Sequence, residues 1–343
     1  MSITPQTMRC GVCGNDAKLL FTGYPCFGGP GTFDVMDCGW CETRFAHPLA
    51  PSDAIYDLIY QNAHQIPGYD RYQRYATNLP KVEDPLAYMA KQEDVYWAVN
   101  EAVSRLSSKN GRPLRILEIG SGFGYLTFAL RKRGHDCRGI DISQNAVAKA
   151  VADFGSFYQV ADLMNYEDAT HAGYDVIVAT ELIEHLVDPV SFLRKAGSLL
   201  RPGGSIVLTT PNKDLYSDKL AWHTDPAPVH LWWFSKTSLR KMAWDLRLDA
   251  QFIDFSEFYG NRVPAPMKGP SKPQTFSASG EVVYKDSVIN TVARKLMAIQ
   301  PGLFQTLGKI FVRKVAREKM RDGLYRESLS LCVMLHKRND QSA

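Results

Sequence analysis

The sequence predicts an α/β fold built on a mostly parallel sheet, with a small metal-binding module ahead of it. Three observations carry this expectation. Arg115-Ile116-Leu117-Glu118-Ile119 reads as a buried strand that runs into Gly120-Ser121-Gly122-Phe123-Gly124 and then a helix from Tyr125 to Arg133, the opening of a nucleotide-binding unit. Strand-like and helix-like segments alternate from there to about residue 258, as a layered α/β domain requires. Two Cys-x-x-Cys pairs, Cys10/Cys13 and Cys38/Cys41, stand in the first 48 residues.

The 343 residues suit one large domain with additions or two domains, and we divide them into a zinc-binding module (1–48), a helical linker and pocket cover (49–111), a cofactor-binding core (112–258) and a C-terminal region (259–343). A 45% apolar share with 22% charged residues describes an ordinary globular protein. No apolar run is long enough to span a membrane and the N-terminus carries no signal pattern, so a cytoplasmic location is expected. The formal charge of +4 is too small at this length to argue for nucleic acid. Seven cysteines, an odd number, make a secreted disulfide scaffold unsuitable.

Each Cys-x-x-Cys pair can present two thiolates from a tight knuckle, and two knuckles fill a closed tetrahedral zinc site. Structural zinc on Cys10, Cys13, Cys38 and Cys41 is therefore expected over a redox pair, with Cys26 and His47 as substitute ligands of lower rank. Phe21, Tyr24, Phe27, Phe33 and Val35 suit short strands between the knuckles, in a module that leans on its metal. Residues 49–84 are rich in tyrosine (Tyr56, Tyr60, Tyr69, Tyr72, Tyr75), which suits packing or a cover over a pocket. One amphipathic helix is expected from Pro85 to Ser107, ended by Asn110-Gly111.

Within the core, a second strand over Asp136–Ile140 delivers Asp141, 21 residues beyond Gly120, where a carboxylate can accept hydrogen bonds from both ribose hydroxyls. A helix over Gln144–Asp153 and a strand over Ser156–Val160 lead to Asp162, placed for an adenine amino group. Helix capping is the alternative for both aspartates. After a fourth strand, Tyr174–Thr180, comes Glu181-Leu182-Ile183-Glu184-His185. If helical, it puts Glu181, Glu184 and His185 on one face at the ligand-binding end of the sheet, able to hold a divalent cation or to remove a proton. A capped helix with a satisfied histidine is the plainer alternative.

Arg201-Pro202-Gly203-Gly204 reads as a turn before a fifth strand, Ser205–Thr210. The aromatic segment from Trp222 to Phe234 carries His223 and His230 and can roof a polar pocket, with His230 as a further ligand; a packed loop is the alternative. Ser235 is expected to cap a helix over Lys236–Leu246, followed by a sixth strand over Phe252–Phe258. A flap over 261–280, a helix over 286–299 and a basic amphipathic helix over 303–320 precede a last strand, Ser328–His336. The basic helix suits a solvated face better than a phosphate or membrane surface.

Glu118-Ile119-Gly120-Ser121-Gly122-Phe123-Gly124, Gly139-Ile140-Asp141, Ala161-Asp162-Leu163, Glu181-Leu182-Ile183-Glu184-His185 and Leu200-Arg201-Pro202-Gly203-Gly204, in this order and spacing, resemble the class I S-adenosylmethionine-dependent methyltransferases. The resemblance spans about residues 112–258 and implies a Rossmann-like, seven-stranded sheet whose last strand is antiparallel. It assigns Gly120, Gly122 and Gly124 to the methionine side of the cofactor pocket, Glu118 to the amino-group network, Asp141 to ribose and Asp162 to adenine, with Ile142, Leu163 and Thr180 beside them. Phe123 departs from the small or acidic residues of the family.

The Glu-x-x-Glu-His segment is similar to that of ubiquinone-pathway O-methyltransferases and of the enzymes that methylate the 2′-hydroxyl of small RNAs. In the latter, such residues and a later histidine hold magnesium or manganese. That implies Glu181, Glu184, His185 and His230 as ligands, with His223 competing for the last place. The zinc-ribbon-like module before such a body also resembles bacterial glycan and specialised-metabolite methyltransferases. O-methylation of a sugar, glycan or other polyhydroxylated small molecule is the leading expectation, with His185 as base or cation ligand, Glu181 and Glu184 assisting, and His223 or His230 completing the pocket. Sugar C-methylation, RNA methylation and a noncatalytic cofactor-binding scaffold are the alternatives. The acceptor and the oligomeric state are not legible in the sequence.

Overall fold

A computed structural model of the chain describes residues 6–28, 30–62, 69–216, 220–259, 275–276, 282–283 and 328–338. The N-terminal strands β1 (Thr7–Arg9), β2 (Asp16–Pro25), β3 (Thr32–Asp37) and β4 (Arg44–His47) form an antiparallel meander. Helices α1 (Asp53–Asn62) and α2 (Asp70–Asn78) follow. The single helix expected over Pro85–Ser107 is two, α3 (Pro85–Gln92) and α4 (Asp94–Asn110). Between them Glu93 is extended, at φ −136° and ψ 142°, and its carboxylate accepts the Tyr75 hydroxyl at 2.6 Å. This half-buried polar contact with α2 accompanies the break in a segment of continuous helical pattern. Gly111, at φ 64°, supplies the left-handed cap that ends α4.

The core runs β5 (Arg115–Ile119), α5 (Tyr125–Lys132), β6 (Asp136–Asp141), α6 (Gln144–Phe154), β7 (Tyr158–Val160), β8 (Tyr174–Thr180), α7 (Pro189–Ser198) and β9 (Leu200–Pro211). There follow β10 (Trp232–Trp233), α8 (Lys236–Asp245), β11 (Leu248–Phe252) and α9 (Ser256–Tyr259). The last elements are the two-residue pair β12 (Thr275–Phe276) and β13 (Val282–Val283), and then β14 (Ser330–Lys337). The seven-stranded sheet has the order β11-β14-β9-β8-β5-β6-β7, and β14 is antiparallel to both neighbours. The pairs from β9 to β7 are parallel. This is the Rossmann-like class I methyltransferase fold, and Ser143 and Ser235 cap α6 and α8 through their hydroxyls.

Two strand boundaries differ from expectation. The turn Arg201-Pro202-Gly203-Gly204 lies inside β9 as an irregularity, where the register against β8 jumps between Tyr174 and Val176. Gly203 takes φ 73°, and a Cβ on Gly204 would fall 2.9 Å from the Tyr174 carbonyl oxygen. The sixth strand is Leu248–Phe252, not Phe252–Phe258, because Ile253 and Phe255 are claimed by the apolar layer next to α4. There Trp97 meets the rings of Phe255 and Phe258, each with centroids 5.7 Å apart. The flap and both helices expected between 261 and 320 lie outside the described residues, apart from β12 and β13. Among the described residues no helix is long and apolar enough to cross a membrane.

At the amino end of the sheet Arg115 clamps the loop before β8. Its guanidinium donates to both Asp168 oxygens at 2.7 and 2.8 Å and to the Gly173 carbonyl at 2.8 Å, while Thr170 and Gly173 also bond Asp168. The Arg115 pair holds the Asp168 carboxyl well below the usual range. Stability from this clamp is fully present above the unfolded carboxyl pKa of about 3.9 and is lost as pH falls toward the depressed folded value. Asp168→Ala is expected to destabilise the chain by about 2–3 kcal/mol at pH 7 in denaturant titration, with the difference shrinking below about pH 4. An unchanged midpoint at pH 7 would remove the clamp from the account.

Candidate functional site

The glycine loop at the end of β5 exists because its backbone and surroundings leave no alternative. Gly120, Gly122 and Gly124 have φ of 74°, 49° and 80°, and a Cβ on Gly124 would lie 2.6 Å from the Tyr158 ring. Beside the loop, Asp141 is only 7% exposed, and its two oxygens accept from the backbone N–H of Gly122 and of Ser143, both at 2.8 Å. Burial raises its pKa. The next residue, Ile142, is 72% exposed, an apolar side chain left open at the ligand-binding edge. Ser121 Oγ is buried without a hydrogen-bond partner among the described residues.

Asp162, at the end of β7, caps the turn Leu163–Asn165 by accepting from Met164 N at 3.0 Å, and Asn165 Nδ2 lies 3.2 Å from its other oxygen. The capping alternative is thus realised there, while the exposed carboxylate retains further lone pairs. Leu163 is buried, and Thr180 closes β8. Glu118 is buried and accepts the Thr127 hydroxyl from α5; burial is the main cause that pushes its pKa up to about 8. Phe123 packs with Ala146, Val147, Ala150 and Phe154 of α6. This packing against α6 gives its departure from the family pattern a structural account.

Glu181-Leu182-Ile183-Glu184-His185 does not form the α-helix that would align its three polar residues. Glu181 is left-handed at φ 47°, its N–H held by both the carbonyl and the hydroxyl oxygen of Thr209 at 3.1 Å, and only Ile183–His185 makes a short 3₁₀ turn. Strained backbone of this kind in a non-glycine residue is stored where the surroundings over-determine it. As a result Glu184 and His185 converge with His230: one ligand atom from each lies within 4.8 Å of the others, and Glu181 is not in that group. The two imidazole centroids are 4.6 Å apart at 77°.

Each member of the group is held for a purpose. Glu184 is fully buried, Thr210 Oγ1 donates to its Oε2 at 2.9 Å, and Oε1 has no partner among the described residues. His185 Nδ1 is 2.7 Å from the Val229 carbonyl, which can only accept, so the proton belongs on Nδ1 and Nε2 is bare. Nε2 lies 3.9 Å from Glu184 Oε1. The Tyr56 hydroxyl of α1 joins the same carbonyl at 3.0 Å.

His230 Nδ1 is buried without a partner among the described residues. Burial lowers the pKa of both histidines to about 3, aided at His185 by His230, so both are neutral at pH 7. Burial, and then Glu181, raise that of Glu184. Glu181, with Oε1 buried and unpartnered among the described residues, is raised by burial to about 7. His223 stands elsewhere, its ring centroid 4.0 Å from that of Tyr216 at a tilt of 36°, and the Tyr69 hydroxyl donates to Asp225 at 2.8 Å.

The four N-terminal cysteines form one group with all Sγ atoms within 4.8 Å, and Cys26 and His47 are not part of it. Cys10 and Cys41 Sγ are 3.7 Å apart, Cys13 and Cys38 Sγ 3.5 Å, and the thiols are free. Tetrahedral zinc with Zn–S bonds of about 2.3 Å requires sulfur separations of about 3.8 Å, so the donor set and spacing fit that ion. Thr210 and the backbone of Leu231 were not legible as site residues. A buried threonine after the apolar run Ile206–Leu208 was the available signal for the first, and a backbone contact leaves none.

Sheet order and glycine loop together have the architecture of the Rossmann-like class I methyltransferase fold. Residues 89–249 match the family model described as a methyltransferase domain. The chain is 34% identical over 108 residues to a ubiquinone biosynthesis O-methyltransferase of Psychrobacter arcticus, covering 29% of this chain and 42% of that protein. It is 32% identical over 141 residues to the human mitochondrial ubiquinone biosynthesis O-methyltransferase, covering 36% and 38%. It thus spans less than half the length of these curated relatives. Among solved structures, a plantazolicin methyltransferase in complex with SAH aligns with 83% of this chain and 95% of its own at 14% identity and a TM-score of 0.42.

Proposed function

We propose that the protein is an S-adenosylmethionine-dependent methyltransferase that methylates a hydroxyl of a sugar, glycan or other polyhydroxylated small molecule, assisted by a divalent cation on Glu184, His185 and His230. The observation that carries this reading is the convergence of two neutral imidazoles and one carboxylate, with Glu184 Oε1 and His230 Nδ1 buried and unpartnered, at the carboxyl end of the sheet. Two imidazoles and one carboxylate suit manganese better than magnesium, which prefers oxygen ligands alone. The O-methyltransferases among the relatives support oxygen as the acceptor atom.

The cofactor fits the residues present. Asp141 would receive the ribose hydroxyls, Ile142 and Leu163 would flank adenine with Asp162 at its amino group, and the loop from Gly120 to Gly124, Glu118 and Thr180 would enclose the methionine part. When bound, S-adenosylmethionine supplies an electrophilic methyl group. The protein's task is to orient the acceptor and remove its proton. With His185 Nε2 directed to the cation, Glu181 is the carboxylate suited to take that proton, since its pKa is raised toward 7 and its Oε1 is unpartnered. The four cysteines would hold structural zinc.

The test is incubation with methyl-labelled cofactor and fractionated small-molecule, glycan and RNA pools, with and without chelator. Label is expected on oxygen in the small-molecule or glycan fraction, lost on chelation and restored by manganese. Activity that survives rigorous removal of manganese and magnesium would sink the cation. Label confined to RNA, with salt-dependent binding, would favour the RNA reading instead.

A further inference from the structure

The N-terminal module grips the segment 220–234, which carries the histidines, along its whole length. Arg44 of β4, held by Asp37 at 2.6 Å, donates to the Leu220 carbonyl. The Tyr24 hydroxyl donates to the Trp222 carbonyl at 3.2 Å, and Phe33 lies edge-on to the Trp222 ring at 5.5 Å. Phe27 N donates to the Ala227 carbonyl at 2.9 Å. Trp232 and Trp233 then pair with Phe45 and Arg44, so β10 becomes the fifth strand of the module's sheet.

The zinc knuckles enclose this strand. A Cβ on Gly11, inside the first Cys-x-x-Cys, would fall 3.0 Å from the Trp232 ring. The carbonyl of Cys41, in the second, accepts the Ser238 hydroxyl of α8 at 3.0 Å. On its far side the same segment holds the reaction site. Leu231 accepts from Ala46 N of β4 at 2.8 Å and donates through its own N–H to the Glu184 carbonyl, also at 2.8 Å. Trp232 Nε1 donates to the Leu186 carbonyl at 2.7 Å. One residue thus joins the zinc module to the turn that bears Glu184 and His185, and His230 precedes it directly.

We infer that the zinc module is the scaffold that positions His230 against Glu184 and His185, so that zinc occupancy sets the geometry of the reaction site rather than serving a detachable recognition arm. The cofactor side is held differently. Gly120 and Ser121 donate to the Ile140 carbonyl, and Asp141 accepts from Gly122 and Ser143. Loss of zinc should therefore separate the two halves of the site. The cation part of this inference rests on the proposed function; the positioning of the histidines does not.

The experiment uses the full chain in three forms: zinc-loaded, zinc-released with a mercurial, and Gly11→Leu, which keeps all four thiols but wedges the Trp232 ring. Three quantities are read: side-chain NMR signals of His185 and His230, Mn(II) affinity by electron paramagnetic resonance, and binding of S-adenosylhomocysteine. Both altered forms are expected to shift the histidine signals and to weaken Mn(II) by about 10-fold or more, as loss of outer-shell support does, while S-adenosylhomocysteine binding stays within about twofold.

Gly11→Leu that retains one zinc and leaves the histidine signals and Mn(II) affinity unchanged overturns the inference. Loss of S-adenosylhomocysteine binding in Gly11→Leu overturns the separation of the two halves. If the zinc-loaded chain binds no Mn(II), the cation of the proposed function fails, and the histidine signals alone decide the positioning: a shift supports it and no shift overturns it.

Discussion

Asp141→Ala is expected to weaken S-adenosylhomocysteine binding by about 100-fold or more in calorimetric titration. The carboxylate stands at the end of β6 beside the glycine loop, 7% exposed, with both oxygens already aimed by backbone N–H groups of Gly122 and Ser143. A hydrogen bond to a charged group contributes about 1.5–3 kcal/mol, so two ribose hydroxyls on one carboxylate amount to about 3–6 kcal/mol. At 1.4 kcal/mol per factor of ten that is about 10²- to 10⁴-fold. The substitution also frees the loop it ties down, which adds to the loss. Affinity within threefold of the unaltered chain, with a thermal midpoint unchanged, would disprove the ribose assignment.

His185→Ala should be the most damaging change to methyl transfer that leaves cofactor binding intact. Its imidazole is neutral, oriented by the Val229 carbonyl and buttressed by Tyr56, so the bare Nε2 is fixed toward Glu184. Whether that nitrogen binds a cation or takes a proton directly, a positioned group of this kind supplies about 10²–10⁴ in rate. Single-turnover transfer from labelled cofactor should fall by that factor. Tyr56→Phe, which removes only the hydroxyl beside the Val229 carbonyl, should cost far less. Transfer rates in His185→Ala close to those of the unaltered chain would remove the histidine from the reaction.

Much of the fold was legible because burial dictates its pattern. β8 is a run of apolar residues between polar ends, and β5 leads into glycines whose positive φ angles demand that residue. The two Cys-x-x-Cys pairs were equally plain, since four soft ligands at that spacing have few other uses. Less legible were features decided by contacts distant in sequence. The break at Glu93 coincides with bonds from α2, and the boundary of the sixth strand follows from Trp97, which draws Phe255 and Phe258 away from the sheet.

The Glu184, His185 and His230 group shows the same division at closer range. Periodicity suggested that Glu181, Glu184 and His185 would share a helical face, but the Thr209 backbone and hydroxyl hold Glu181 in a left-handed conformation and the face never forms. His230 and not His223 reaches the group, because Leu231 is bonded on both sides while His223 packs against the Tyr216 ring. The sequence by itself determined the α/β sheet, the glycine loop with Asp141, and the paired-cysteine knuckles, all of which depend on local backbone conformation and on residue chemistry at short spacing. Only the tertiary structure decided that the N-terminal module and the histidine segment are one sheet, because the pairing of β4 with β10 joins residues almost 190 positions apart through backbone hydrogen bonds, which no side-chain pattern records.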